Sequence, residues 1–160
     1  GSYTTNGWEV INGAWYYFDG AGWMVTGWVK LSGTWYYLTG SGAMATGWLK
    51  LGDVWYYLTP SGNMAVGWYV VDGSWYFFDA SGVMAEGWRQ IGNNWYYLMP
   101  GGKMAVGWCV VDSNWYYFDT NGAMLADRWV DYVYYVKTSG AMAKDEWVDH
   151  NRYYVNSNGV

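Results

Sequence analysis

A sequence pattern of 20 residues repeats along most of this chain and limits the folds that it can adopt. Gly-Trp begins at positions 7, 27, 47, 67, 87 and 107. An aromatic triplet begins at 15, 35, 55, 75, 95 and 115, and a Met follows at 24, 44, 64, 84, 104 and 124. Such periods are typical of stacked supersecondary units, each of which packs against its neighbours. The sequence therefore predicts a repeat protein of about eight units.

Each unit has the sequence of a β-hairpin followed by a connector. In the first unit, residues 8–11 and 14–18 flank Asn12-Gly13. This dipeptide favours a two-residue type I′ turn, because both turn positions need a positive φ. Such a turn pairs Trp8 with Tyr17 and places the two on one face. No segment shows a helical period, so we predict an all-β fold.

The predicted register separates a core face from a face that solvent reaches. The positions of Ile11 and Phe18 hold only Leu, Ile, Val or Phe in the first six copies, as a core requires. The position of Val10 becomes Lys or Gln in other copies, so water must reach it, yet the two Trp positions beside it never change there. Burial alone does not explain this pattern, which indicates a repeated aromatic binding surface.

The aromatic cluster is suited to a quaternary ammonium ligand, and the net charge is compatible with a cationic one. The chain has 15 Trp, 18 Tyr and a net charge of −5, which argues against nucleic acid because nucleic acid needs a basic face. A quaternary ammonium needs no hydrogen bonds and is attracted by ring faces, by up to about 2 kcal/mol per desolvated ring. Two or three rings then give roughly millimolar affinity. Several such sites facing a polymer would gain by multivalency.

The repeat resembles the choline-binding, or cell-wall-binding, repeat of surface proteins of Gram-positive bacteria and their phages. The resemblance extends from Gly7 to the C-terminus. It implies a solenoid of stacked β-hairpins wound as a left-handed superhelix. It also implies an extracellular module, held at the cell wall by phosphocholine of teichoic and lipoteichoic acids. In the family, each choline lies between consecutive hairpins, against two Trp of one hairpin, a Tyr of the next and often a Met.

The resemblance, carried over by position, assigns six cages. We assign the second Tyr of each triplet, because the register places it on the Trp face, and the Met of the following unit, although the preceding Met is an open alternative. The predicted choline-binding residues are Trp8, Trp15, Tyr37 and Met44; Trp28, Trp35, Tyr57 and Met64; Trp48, Trp55, Phe77 and Met84; Trp68, Trp75, Tyr97 and Met104; Trp88, Trp95, Tyr117 and Met124; and Trp108, Trp115, Tyr135 and Met142.

The repeats also define the expected organisation of the chain. Residues 1–6 are interpreted as a leader that begins with an expression scar, Gly1-Ser2, and residues 7–126 as six regular repeats. Residues 127–160 form two degenerate repeats, in which Val133 and Arg152 replace the second Trp. End repeats of solenoids are commonly atypical, so we expect these two to cap the array or, as the second choice, to form a homodimer contact.

The sequence contains no constellation that indicates catalysis, a cofactor or a metal site. His150 is the only histidine of the chain. We predict that Cys109 is a packed thiol and that Asp19 and its equivalents cap turns. No apolar run is long enough to span a membrane. We therefore predict a binding module, whose parent protein could carry a separate amidase, lysozyme or adhesin domain. A glucan-type carbohydrate-binding domain is the alternative function, and a mere spacer is the third.

Overall fold

The computed structural model describes residues 3–160 and confirms the predicted all-β architecture of hairpins. This part of the chain contains sixteen strands and no helix, and the predicted scar at Gly1-Ser2 lies outside the described residues. The strands are β1 (Gly7–Ile11), β2 (Ala14–Phe18), β3 (Gly27–Leu31), β4 (Thr34–Leu38), β5 (Gly47–Leu51), β6 (Val54–Leu58), β7 (Gly67–Val71), β8 (Ser74–Phe78), β9 (Gly87–Ile91), β10 (Asn94–Leu98), β11 (Gly107–Val111), β12 (Asn114–Phe118), β13 (Arg128–Val130), β14 (Tyr134–Val136), β15 (Glu146–Val148) and β16 (Tyr153–Val155).

Consecutive strands pair as antiparallel two-stranded sheets. The hairpins β1–β2, β3–β4, β5–β6, β9–β10 and β11–β12 have the register that the turn residues predicted. In the first hairpin, Trp8 lies opposite Tyr17 and Val10 opposite Trp15. Asn12 and Gly13 both have positive φ, of 51° and 82°, as a type I′ turn requires. The two-residue turn therefore determines which side chains share a face in each regular hairpin.

A short connector joins each hairpin to the one before it through backbone hydrogen bonds. The Met44 amide donates to the carbonyl of Trp15 at 2.8 Å, and the next amide, that of Ala45, donates to the carbonyl of Tyr37 at 2.8 Å. The connector thus bonds to two successive hairpins at once. The same Met-to-Trp bond occurs at Met64 and Trp35, Met84 and Trp55, Met104 and Trp75, Met124 and Trp95, and Met142 and Trp115.

Aspartate side chains close the second turn of several units, as predicted. The Asp19 carboxylate accepts hydrogen bonds from the amides of Ala21 and Trp23, both at 2.9 Å. Asp79 and Asp119 make the equivalent pairs of bonds in their own turns. These carboxylates are therefore turn-forming groups, since Asx turns satisfy backbone amides that the strands leave free.

The core is a thin row of side chains at the end of each second strand. Leu38, Leu58, Phe78, Leu98 and Phe118 are all fully buried, whereas Phe18 of the first hairpin is only partly buried. The predicted core role of this position is therefore confirmed in five of the six regular units. The other predicted core position, next to the hairpin turn, is less uniform. Ile11 is 41% exposed there, whereas the equivalent Val71 and Val111 are buried.

The described residues form two compact units. One contains the chain up to Val70 together with Phe77–Met84, and the other contains Val71–Tyr76 and Ala85–Val160. In the second unit, the two degenerate hairpins have three-residue strands and their own small cluster of Ala143, Val148 and Val155. The continuous left-handed superhelix and the capping or dimerising role of residues 127–160 stay predictions.

Gly62 is expected to tolerate no side chain, for two separate reasons. Its φ is +87°, and a Cβ there would collide with the side chain of Met44. Gly33 has a similar φ of +83° but open space around it. We expect Gly33→Ala to cost about 1–2 kcal/mol through backbone strain. Gly62→Ala should cost a further 1–3 kcal/mol, roughly, through overpacking. Urea denaturation would measure both, and equal losses would contradict the packing argument.

Candidate functional site

Aromatic cavities between consecutive hairpins are the most distinctive feature of the surface. Three are walled by two Trp, one Tyr and one Met, and have volumes of about 380, 330 and 320 Å³ in chain order. They are lined by Trp8, Trp15, Tyr36, Met44, Pro60 and Ser61; by Trp28, Trp35, Tyr56, Met64, Ala80 and Ser81; and by Trp108, Trp115, Tyr134, Met142 and Asn158. We refer to them as cages 1, 2 and 6.

The two Trp of a cage come from the two strands of one hairpin. In cage 1, the rings of Trp8 and Trp15 are 6.5 Å apart and almost perpendicular, at 88°. Trp15 is 47% exposed, while Trp8 is half-buried. The residue paired with Trp15, Val10, is exposed as well. The expected wet face is therefore present, and the Trp rings are open to solvent rather than sealed in the core.

The third ring comes from the next hairpin and is the first Tyr of its triplet. Tyr36 lies 5.1 Å from Trp8, and Tyr56 lies 5.0 Å from Trp28. The predicted Tyr37 lies instead against Trp28 of its own hairpin, at 5.0 Å. The Trp face of one hairpin packs against the opposite face of the next hairpin. The third ring of the cavity therefore comes from the face of that next hairpin that does not carry its own Trp pair. At this ring the structure differs from the sequence-based expectation.

The same difference from the predicted contact is found for every predicted third ring. Each second aromatic residue of a triplet packs on the first Trp of its own hairpin, at 5.0–5.3 Å. These residues are Tyr37, Tyr57, Phe77, Tyr97, Tyr117 and Tyr135, against Trp28, Trp48, Trp68, Trp88, Trp108 and Trp129. Burial raises the pKa of Tyr135, and the carboxylates of Asp127 and Asp149 raise it further. This phenol therefore stays neutral, as a packing group.

The Met of a cage is the one from the following unit. Met44 reaches cage 1 because its amide is bonded to the Trp15 carbonyl. Met24, the alternative from the preceding unit, does not line this cavity. Of the two candidates that the sequence left open, the structure brings the following Met into the cavity.

Parts of the remaining predicted cages are also assembled. Trp88 and Trp95 are 6.4 Å apart, and Tyr116 lies 4.8 Å from Trp88. Met124 donates its amide to the Trp95 carbonyl at 2.8 Å. Trp48 and Trp55 are 6.2 Å apart, with the Met84 amide on the Trp55 carbonyl. The Trp pair and the Met connector therefore recur beyond the three cavities.

Sequence reasoning missed the first Tyr of each triplet and the loop that closes each cavity. A signal for the Tyr was present, because this position is Tyr in all eight units, whereas the second position is Phe in one of them. The loop residues, such as Pro60 and Ser61 in cage 1, come from the turn two units further along the chain. Nothing in a single unit indicates such a contact.

The cavities offer no group for acid–base chemistry or metal binding. All of the residues that line the three cavities are uncharged. In the part of the chain that the structure describes, no three His, Cys, Asp or Glu side chains are grouped so that they could hold a metal ion. That part also contains no helix long and apolar enough to cross a membrane. The arrangement is suited to reversible binding of a small ligand by ring faces.

Known repeat families account for nearly all of the chain. A profile described as a choline-binding repeat matches residues 5–47, 45–86 and 85–129, and a second profile with the same description matches residues 123–160. A comparison with curated protein sequences finds no significant match. The profiles together cover residues 5–160, so the chain is an array of such repeats.

Solved structures of Streptococcus pneumoniae proteins are similar in fold and sequence. CbpJ of strain TIGR4 is 41% identical over 96% of this chain and 57% of its own, with a TM-score of 0.88. Choline binding protein F is 42% identical over 86% of this chain and 47% of its own, with a TM-score of 0.82, and a related crystal contains ipratropium. The autolysin LytC is 29% identical over 98% of this chain and 42% of its own, with a TM-score of 0.67.

The chain spans about half the length of each of these three structures. The paired Trp and the connector Met recur from unit to unit, and the hairpins β1–β2, β3–β4 and β5–β6 share one register. On the sequence match and the fold together, this chain belongs to the family of choline-binding repeat proteins.

Proposed function

We propose that the chain binds choline in cages between consecutive hairpins, and so holds its parent protein on the phosphocholine of teichoic and lipoteichoic acids at the bacterial cell wall. The observation that carries this proposal is the recurring cavity of two Trp, one Tyr and one Met. In cage 1 the proposed ligand contacts are Trp8, Trp15, Tyr36 and Met44. Cages 2 and 6 use the equivalent residues, with Tyr56 and Tyr134 as the third ring.

The chemistry of the cages fits a quaternary ammonium. Their lining residues are uncharged, so ring quadrupoles rather than carboxylates supply the attraction. At up to about 2 kcal/mol per ring, three rings give no more than about 6 kcal/mol. One cage then binds with roughly millimolar affinity or somewhat tighter. Several cages on one array bind a polymer of choline groups far more strongly than a single cage does.

A relative supports this class of ligand. CbpF was solved in complex with ipratropium, introduced by soaking, and ipratropium is itself a quaternary ammonium ion. The proposed cages also have the size for such a head group, because volumes of 320–380 Å³ are at the small end of ligand pockets. A glucan chain would need more polar contacts than Ser61, Ser81 or Asn158 can offer.

A choline titration tests the proposal. Calorimetry with choline should show several sites of about millimolar affinity. The melting temperature should rise at millimolar choline, because the ligand binds only the folded array. The chain should be retained on a quaternary-amine resin and eluted by choline. Glucan oligomers serve as the control ligand, and elution by them but not by choline would favour the carbohydrate-binding alternative.

The assignment of the third ring can be tested with two neighbouring Tyr residues. Tyr56→Leu should weaken choline binding at cage 2 about 10- to 30-fold, because it removes one of three rings. Tyr57→Leu should leave cage 2 unchanged, because Tyr57 packs on Trp48 instead. The indole N–H signals of Trp28 and Trp35 in an NMR titration report on this cage alone. Tyr56→Phe keeps the ring and should bind nearly as the wild type does, whereas a selective loss in Tyr57→Leu would restore the original assignment.

The C-terminal hairpins can be tested for the proposed cap or dimer contact. Trp147, Tyr153 and Tyr154 are each more than half exposed, and Val133 replaces the second Trp of the seventh unit. Light scattering with and without choline distinguishes the two roles. A monomer under both conditions supports a cap.

A further inference from the structure

Two Lys side chains lie directly beside Trp pairs of the array. Lys30 is paired with Trp35 across the hairpin, and its Nζ atom is 5.9 Å from the centroid of the Trp35 ring. Lys50 is paired with Trp55 in the same way, at 5.8 Å. Both side chains are exposed. At the equivalent position the other regular units have Val10, Val70, Gln90 and Val110, which carry no charge.

A positively charged side chain at this position changes which ligand the neighbouring Trp pair prefers. A quaternary nitrogen held on the same ring also lies within about 6 Å of its centroid. The two positive charges are then at most about 12 Å apart, so their repulsion is weakened but not abolished by screening, whose length is about 8 Å at physiological ionic strength. Free choline, whose only charge is positive, is disfavoured by this neighbour. Phosphocholine carries a phosphate only two carbons and an ester oxygen away from the nitrogen.

The ammonium groups of Lys30 and Lys50 are available for such an anion. Among residues 3–160, neither has a carboxylate within ion-pair distance. The flexible four-carbon stem of Lys allows its point charge to follow a mobile phosphate. The Trp pairs next to Val10 and Val110 have no comparable partner at that position.

We propose that Lys30 and Lys50 bind the phosphate of phosphocholine at the Trp28–Trp35 and Trp48–Trp55 pairs. These two pairs select phosphocholine over free choline, while the Trp8–Trp15 and Trp108–Trp115 pairs do not. The array then contains some sites that bind the phosphate of phosphocholine and others that do not. This inference rests on the proposed function, because it requires that the Trp pairs bind choline.

The test compares choline with phosphocholine in a double variant. Lys30→Val with Lys50→Val installs the residue that other units carry, and the preference for phosphocholine over choline, measured by calorimetry, should fall about two- to fivefold at the affected sites. In the wild type this preference should shrink at high salt, since it is electrostatic. If the Lys side chain only covered the Trp35 ring, its replacement would change the affinities for choline and for phosphocholine by the same factor. Lys103→Ala with Lys144→Thr is the matched control, because it removes the same charge elsewhere and should leave the preference unchanged.

The reverse substitution tests the same inference from the other side. Val10→Lys with Val110→Lys should raise the preference for phosphocholine at two further sites, and it alters only exposed positions. If the wild type binds neither ligand, the proposed function and this inference both fail. If it binds choline but none of the lysine variants changes the preference, the inference is overturned and the proposed function stands.

Discussion

Replacing Trp28 and Trp35 together by Ala should remove one choline site and leave the others intact. The two rings are 6.3 Å apart and form two of the three aromatic walls of cage 2. At up to about 2 kcal/mol per ring, their loss weakens binding at that cage by roughly a thousandfold, which places it outside a millimolar titration. The link between hairpins survives, because the Met64 amide bonds to the backbone carbonyl of residue 35.

The number of choline ions bound per chain, counted by calorimetry, is the measurement for this variant. Trp23→Ala is the control, because Trp23 is 73% exposed and lines none of the three cavities. It should leave the number of sites unchanged. Loss of all binding in the double variant would show that the cages are not independent and that the array binds as one cooperative body.

Replacing Phe118 by Ala should destabilise the fold by about 3–5 kcal/mol. Its side chain is fully buried and packs 5.8 Å from the ring of Trp88. A thin core has few other side chains to fill the resulting cavity, so the loss should be near the upper end of that range. Urea denaturation followed by Trp fluorescence would measure the free energy of unfolding.

Phe118→Leu provides the matched comparison. Leu38, Leu58 and Leu98 occupy the same position in other units and are also fully buried. The Leu substitution should therefore cost less than about 1.5 kcal/mol. A loss as large as that of the Ala variant would mean that this unit needs the aromatic ring itself, rather than apolar volume.

The local structure of this protein could be predicted almost completely from the sequence. The turn at Asn12-Gly13 determines the register of its hairpin, and the strict alternation of side chains then determines which residues share a face. The comparison of six copies revealed the buried position of Phe118 and the exposed position of Val10. All of these features depend on neighbours within a few residues, so a single unit contains the information.

The third wall of each cage could not be predicted in the same way. Register correctly placed Tyr37 on the face of Trp28, but it does not say which face of one hairpin meets the next. The connector decides this, because its hydrogen bonds to Trp15 and Tyr37 set the position of each hairpin relative to the one before it. Tyr36, on the opposite face, thereby borders the gap beside Trp8.

The sequence by itself determined the repeat, the hairpins, the core row and the paired Trp residues of each proposed site. Only the tertiary structure decided which Tyr, which Met and which distant loop complete a cage. The physical reason is that turn geometry acts within a hairpin and is readable from adjacent residues, whereas the walls of a cavity depend on how rigid hairpins stack. That stacking is set by backbone hydrogen bonds between hairpins, which every residue type except Pro can donate, so the side-chain pattern does not reveal them.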